Sequence, residues 1–383
     1  MKHSQPSRAY LTQLRQRYAK ASKRVRTQIL DEFVQTTHYQ RKYAIALLRG
    51  KRAWRDESQP IQRKRRRRYL SEDKRAVLWL AELFDQIGSK RLRAAMDTEL
   101  ESLYTQGQLQ ISRACYERLQ VISASTLDRL RRSDRQLHPR SRGGTKPGSL
   151  LKSQIPIRTF AQWDDKHPGF TEIDLIQHEG GNTSGFFACT LTLTDVYTGW
   201  TELRAVLTKA QVHVVAALKD IRTVLPFALR GIDSDNGAEF INDQLLRYCN
   251  DEHLTFTRGR VGRKNDNPYV EQKNWSVARR LVGYQRYETQ AQVNLLNQLY
   301  RLNGLYSNHF IPIVKLQSKQ RQGSHVKRVF DAPTTPYKRV LASAQVSEAD
   351  KVKLRAVHAQ LDVVKLRQQI DALLRKLHPS PVG

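Results

Sequence analysis

Cysteine is scarce: Cys115, Cys189 and Cys249 lie far apart in 383 residues and form no CxxC pair. That excludes a disulfide framework and a zinc knuckle, and it suits a reducing cytosol. Runs of 18 apolar residues are absent, so no membrane helix is expected, and the segment Met1 to Pro6 lacks the apolar stretch of a signal peptide. Acid is also in short supply. Asp and Glu total 36 against 66 Lys and Arg, a net charge of +30 with pI ≈ 10.3. An excess of this size calls for a polyanionic partner, nucleic acid before a membrane surface. What is present in quantity is apolar: 39% hydrophobic residues are enough for real cores in two or three domains, and they exclude a disordered tail.

Three of the few acids occupy three different local settings. Asp174 sits in the apolar run Phe170 to Ile176, closed by Glu179-Gly180-Gly181-Asn182, which reads as a strand and a turn. A charge in mid-strand is costly unless something compensates it. Asp235 ends the strand-like Leu229 to Ser234 before an Asn236-Gly237 turn, and so belongs at a strand's C-terminal edge, where open α/β sheets hold ligands. Glu271 follows Asn265-Asp266-Asn267-Pro268, a helix start with an Asp or Asn cap and Pro in the first turn. Because 271 − 235 = 36, thirty-five residues separate the last two acids. Taken singly, each has a structural reading as a strand-edge charge, a turn former or a first-turn helix acid.

The segment Ser234 to Phe240, the 35-residue gap and the helix Val270-Glu271-Gln272-Lys273-Asn274 resemble the D,D-35-E core of retroviral integrases and related prokaryotic insertion-sequence transposases. The match covers about a third of the chain directly. The resemblance implies that Asp174, Asp235 and Glu271 are catalytic and hold two Mg²⁺ ions, for which Mn²⁺ would substitute, with Asp174 bridging both. Two such ions about 3.5 to 4 Å apart activate a nucleophile and stabilise a leaving 3′ oxygen, and Mg²⁺ accepts carboxylate oxygens. Asp164, Asp165, Asp195 and Asp233 are rival ligands; Asp174 is preferred because it precedes the next two strands, as the first acid does in the family. The His/His/Cys/Cys zinc module of retroviral integrases has no counterpart, so the resemblance stops at the core.

The rest of the chain divides by composition into 1–60, 61–137, a basic linker at 138–160, a core at 161–290 and a basic helical region at 291–383, the last a candidate for oligomerisation. In the first segment, two short helices around Gln35-Thr36-Thr37-His38 fit a helix-turn-helix or an ordinary helical hairpin; Gln40, Arg41 and Lys42 are the exposed candidates for DNA contact. The six cations Arg63 to Arg68, Arg65 and Arg66 among them, read as a linker lying along phosphates. Ser71 to Leu103 reads as helix. Ser112 to Gln120 and the helix from Ser125 form a second helix-turn-helix candidate, with Ser125 and Thr126 placed for base edges and Arg129 and Arg132 for phosphates. In the core, Phe186–Val196, Trp200–Leu207 and Leu254–Thr257 read as strands and Lys209–Val224 as a crossover helix. Three antiparallel strands and two further parallel ones make an α/β, ribonuclease-H-like fold. Arg263, Lys264, Lys273, Arg279 and Arg280 form a positive rim for DNA or a solvated face, and Trp275 packs on the core or on a base. Residues 312–337 read as a basic loop. A helix capped at Ser347 and ending near Leu377 slips phase between Val357-Leu361-Val364 and Leu366-Ile370-Leu373-Leu377, which leaves assembly and intramolecular packing both open.

The expected architecture is therefore all-α helix-turn-helix segments before a ribonuclease-H-like core and a helical C-terminal region. The resemblance implies a DNA transposase that binds double-stranded DNA, both element ends and target, as a homo-oligomer of at least two copies. It implies a cytoplasmic, nucleoid-associated protein with no membrane partner. A nuclease of the same fold without strand transfer, and a transposase-derived regulator that only binds DNA, are the other readings.

Overall fold

The computed structural model describes residues 6–51, 68–135, 167–234, 243–258, 270, 273–322 and 325–379. The chain forms two compact units, Met1–Arg68 and Tyr69–Gly383.

The first unit is three helices, α1 (Arg8–Lys20), α2 (Lys23–Thr37) and α3 (Arg41–Leu48). Ser7 caps α1 by accepting from the Tyr10 N–H at 3.2 Å. Helix α2 stops because His38 turns left-handed (φ 57°), its N–H closing on the Val34 carbonyl at 2.8 Å. Residues three and four apart, Leu11 and Leu14 on α1, Ile29, Leu30 and Phe33 on α2, and Ala44, Leu47 and Leu48 on α3, bury one shared core.

The second unit is built on a mixed sheet: β1 (Phe170–Gln177), β2 (Cys189–Asp195), β3 (Thr201–Val206), β4 (Gly231–Ser234) and β5 (Thr255–Arg258), in the order β3-β2-β1-β4-β5. The first three strands are antiparallel, and β4 and β5 run parallel to β1, with α8 (Gln211–Val224) as the crossover. Three antiparallel strands, a crossover helix and two further parallel strands are the arrangement expected from the sequence. The expected boundaries were too generous at β2, because Phe186 lies 80% exposed outside the ladder.

Strand pleating sends alternate residues to opposite faces. Ile173, Leu175, Leu191, Leu193 and Ile232 face α8 and α9 (Asp243–Asp251). Ile176, Leu203 and Ala205 face a larger cluster. That cluster is completed by α4 (Ser71–Leu83), α5 (Ser89–Thr105), α6 (Arg113–Gln120), α7 (Ala124–Arg135), α11 (Gln290–Phe310) and α14 (Val363–Leu377). Between β5 and α11 lie a π-helical segment, π1 (Asn274–Arg279), and the short α10 (Arg280–Val282).

Three expectations are corrected. The helix expected over Ser71 to Leu103 is two helices, broken where Asp85 and Gln86 take positive φ and Ile87 turns inward. The basic segment at 312–337 is not a loop: it contains an antiparallel hairpin, β6 (Leu316–Gln322) and β7 (His325–Phe330), followed by α12 (Pro336–Ala342), so the C-terminal region is not purely helical. The long terminal helix is α13 (Glu348–Ala359) and α14, interrupted at Asp362, whose carboxylate caps α14 by accepting from the Val364 and Lys365 N–H groups. The phase slip in the apolar pattern marks that break.

Candidate functional site

Glu172 and Asp174 alternate on β1 and therefore share the sheet face that carries Ile176. Asp174 stands opposite Thr192 of β2; Glu172 stands between Thr194 on one side and Asp233 of β4 on the other. Glu172, Thr192, Thr194 and Asp233 are buried, and Asp174 is half-buried. A polar stripe thus runs through the middle of an otherwise apolar layer.

The parallel register of β1 and β4 brings the second acid's strand to the same edge. Ile173 pairs with Ser234, the last residue of β4; in the sequence Asp174 follows Ile173 as Asp235 follows Ser234. Asp235 and Glu271 themselves lie outside the described residues. Gly231 lets β4 sit close between its two neighbours: a Cβ there would meet the Phe170 ring of β1 at 2.7 Å and the Thr255 carbonyl oxygen of β5 at 3.1 Å.

Two contacts tie the segment around position 271 to β1. The buried Val270 donates its N–H to the Glu172 Oε2 at 2.9 Å. Asn274, the first residue of π1, donates its side-chain amide to the Asp174 Oδ2. The other Asp174 oxygen accepts the Leu175 N–H at 2.8 Å. Asn274 Oδ1 and Thr192 Oγ1 are buried beside Asp174 with no hydrogen-bond partner among the described residues. Buried acceptors without donors are rare in folded proteins, and π-helical turns concentrate at functional sites. An oxygen-rich spot next to a carboxylate is the donor set a hard divalent cation takes.

The rival ligands separate on their hydrogen bonds. Asp195 is fully buried and accepts from the Gly169 N–H (2.7 Å), the Thr198 N–H (2.6 Å) and the Thr198 hydroxyl (2.6 Å). Burial pushes its carboxyl up to about 6 against these bonds. It organises the β2–β3 turn. Asp233 accepts from the Thr257 hydroxyl inside the sheet. Asp164 and Asp165 lie outside the described residues. Among the described residues, no three His, Cys, Asp or Glu side chains converge in a group that could hold a metal.

The residues expected to touch DNA fall into three groups. Gln40, Lys42, Ser125, Arg129 and Arg132 are exposed. Others are engaged within the chain: Arg41 pairs with Asp31, and Thr126 with the cap residue Ser123. Arg279 donates to the Gln177 carbonyl at 2.7 Å and lies 4.7 Å from the Tyr284 ring centre, while Arg280 donates to the Asp85 carbonyl at 2.7 Å. Lys273 is half-buried, and burial with Arg91 and Arg339 nearby pulls its ammonium down to about 7. Trp275 is half-buried. Arg65, Arg66, Arg263 and Lys264 lie outside the described residues.

Sequence reasoning missed Glu172, Thr192 and Asn274. The signal for Glu172 was present, since an acid two residues before Asp174 on a strand shares its face; that for Asn274 was its position three residues after Glu271.

The sheet order and the acid on the central first strand define a mixed α/β domain of ribonuclease-H-like topology, embedded among helices. No family model matches the chain. It is 38% identical over 328 residues to the uncharacterized protein y4rM of Sinorhizobium fredii (strain NBRC 101917 / NGR234), spanning 85% of this chain and 92% of that protein, and it belongs to the same family. Among solved structures, the HTLV-2 integrase catalytic core domain in complex with magnesium, in its dimeric form, aligns over 38% of this chain and 90% of its own at 13% identity and TM-score 0.30. The catalytic core domain of BIV integrase aligns over 48% and 97% at 16% identity and TM-score 0.31. No described helix is long and apolar enough to cross a membrane.

Proposed function

We propose that the chain is a DNA transposase, a polynucleotidyl transferase in which Asp174, Asp235 and Glu271 hold two Mg²⁺ ions. The observation that carries this reading is the pair of ties from β1 to residues 270 and 274, on either side of position 271, beside a strand register in which Asp174 and Asp235 come next after paired residues. Bound there, the ions would supply activation of the attacking oxygen and stabilisation of the departing 3′ oxygen.

The chain's own part is to orient. The Leu175 N–H and the Asn274 amide fix the Asp174 carboxylate from two sides, which limits the geometries in which it can present its oxygens. The exposed polar and basic residues of α3 and α7, Gln40, Lys42, Ser125, Arg129 and Arg132, are the candidates for reading element ends, as helix-turn-helix modules do. Arg65, Arg66, Arg263 and Lys264 would add phosphate contacts, whereas Lys273, half-buried and with its ammonium pKa lowered by burial, is a poorer candidate than the sequence suggested. Joining two ends to a target requires at least two copies of the chain.

The test uses Asp174→Asn and Asp235→Asn in the full-length protein with duplex oligonucleotides. Both substitutions should abolish Mg²⁺-dependent nicking while leaving duplex binding nearly intact; persistent nicking sinks the metal assignment. Pre-nicked ends that are joined to a target by the unsubstituted protein distinguish a transposase from a nuclease of the same fold. Absence of any metal-dependent cleavage would leave a DNA-binding regulator.

A further inference from the structure

The β6–β7 ribbon is basic and free of acids along its length. From Lys315 to Phe330 the chain carries five cations, Lys315, Lys319, Arg321, Lys327 and Arg328, and no acid. The register sets Lys319 directly opposite Arg328, and Gln320 opposite Lys327. Like charges directly across an antiparallel pair are destabilising, and an isolated two-stranded ribbon is marginal in water even without them. Among the described residues no acid pairs with Lys327 or Arg328. The acid that flanks the ribbon, Asp331, is engaged at its base: it accepts the Lys315 N–H at 2.6 Å and pairs with Arg339 at 2.7 Å.

The ribbon is nevertheless firmly rooted. Ile313 and Thr334 exchange two backbone hydrogen bonds of 3.0 Å, and the Lys315 ammonium donates to the Tyr197 carbonyl at 2.9 Å. Gly199, at φ +72°, gives Ile313 its seat: a Cβ there would come within 2.2 Å of the Ile313 Cδ1. The root therefore sits on the β2–β3 turn. Along β1 that end of the sheet, where Thr171 pairs with Asp195, is three residues, about 10 Å, from Asp174. From this root seven-residue β6 extends about 23 Å, with Leu316, Val329 and Phe330 40 to 50% exposed.

We propose that the β6–β7 ribbon is a duplex-DNA-binding arm, its cations lying against phosphates near the site of strand cleavage. A two-stranded ribbon has the width that the major groove accepts, and a polyanion supplies the counter-charge that the ribbon lacks within itself. The proposal takes the identity of the polyanion from the transposase reading.

The experiment measures binding of the full chain to a fluorescent duplex between 50 and 200 mM salt. Lys327→Gln/Arg328→Gln removes two exposed charges and should weaken binding on the order of tenfold or more, with the log–log salt slope shallower by about 2, since each phosphate contact contributes about 0.9. Lys327→Arg/Arg328→Lys keeps the charge and should retain affinity and slope. Unchanged affinity and slope in the Gln variant overturn the arm and leave the catalytic reading standing, because the nicking test on Asp174 and Asp235 is separate. Weakened binding to single-stranded RNA or anionic vesicles, with duplex binding unaltered, also overturns it. If the unsubstituted chain shows no salt-dependent duplex binding, the arm and the transposase reading fall together.

Discussion

Asn274 donates its side-chain amide to the Asp174 carboxylate from one hundred residues away in sequence, and four residues earlier Val270 donates its N–H to Glu172 on the same strand. The two acceptors lie two residues apart on β1 and share a face, so the strand grips the segment around position 271 at two successive positions. A strand and the start of a helix far away in the chain are thereby held to a common register, which is what a site made of acids from separate elements requires.

Asn274→Ala removes the amide and leaves the Asp174 Oδ2 without that donor. Groups that orient a metal-binding carboxylate typically account for 10- to 100-fold in metal affinity or activity. The expected result is nicking reduced by roughly that factor, with half-maximal Mg²⁺ shifted to higher concentration and duplex binding preserved. Asn274→Asp sets a second anion against Asp174 and should be worse than Ala in cleavage unless excess metal restores it. A Mg²⁺ titration of nicking for the three proteins decides the matter, and superimposable curves would show that Asn274 positions nothing.

Histidine burial predicts an acid limit to stability. His178 is buried and shares a hydrogen bond with the Thr190 hydroxyl; burial, with Arg279 adding to it, pulls it down to about 3. Burial, then His358, likewise brings His309 to about 3, and His358 is lowered by its own burial and by Lys338. The His309 and His358 Nδ1 atoms lie 3.1 Å apart, with Tyr337 stacked on the His358 ring at 4.1 Å. A depressed folded-state value means stability present in full above the ordinary histidine range and lost as pH falls toward the folded value. Between pH 6.5 and 5 the loss is about 2 kcal/mol for each of His178 and His309. Denaturant midpoints recorded from pH 7 to pH 5 should fall, and His309→Phe, which keeps a ring in the stack, should flatten the slope by about one proton. An unchanged slope in that variant would remove His309 from the account.

The sheet was legible because each strand announces itself: apolar runs bounded by glycine and asparagine turns, a crossover helix with Val214, Leu218 and Ile221 on one side, and the acids at positions a pleated strand makes comparable. What was not legible depended on partners distant in sequence. Arg131 stands in the polar run Arg129-Leu130-Arg131-Arg132 and reads as surface, yet it is fully buried, donating to the Ile87 carbonyl at 2.7 Å and the Gln86 side chain at 2.9 Å across the α4–α5 turn. The β6 segment Leu316-Gln317-Ser318-Lys319-Gln320-Arg321-Gln322 lacks β-branched residues and aromatics, so its pairing with β7 left no periodic signature. The candidate site was legible only in part. The sequence pointed to Asp174, but an acid two residues before it and an asparagine one hundred residues after it acquire meaning only once the ladder and the helix meet.

Glu172 is where that meeting can be probed without touching a proposed metal ligand. Its carboxylate accepts the N–H of buried Val270, the residue immediately before Glu271. Glu172→Gln keeps an acceptor oxygen at the same reach, so the helix start keeps its anchor; Glu172→Ala leaves a buried N–H unsatisfied, at a cost of about 1 to 3 kcal/mol. If Glu172 acts through Glu271, the Ala variant should show nicking reduced at least tenfold with a raised Mg²⁺ requirement, while Gln stays within a few-fold of the unsubstituted protein. A purely structural role would instead lower the denaturant midpoint of the Ala variant and leave the Mg²⁺ dependence of its folded fraction unaltered. A Gln variant as impaired as Ala would show that the charge of Glu172, rather than its hold on the Val270 N–H, is what the site uses.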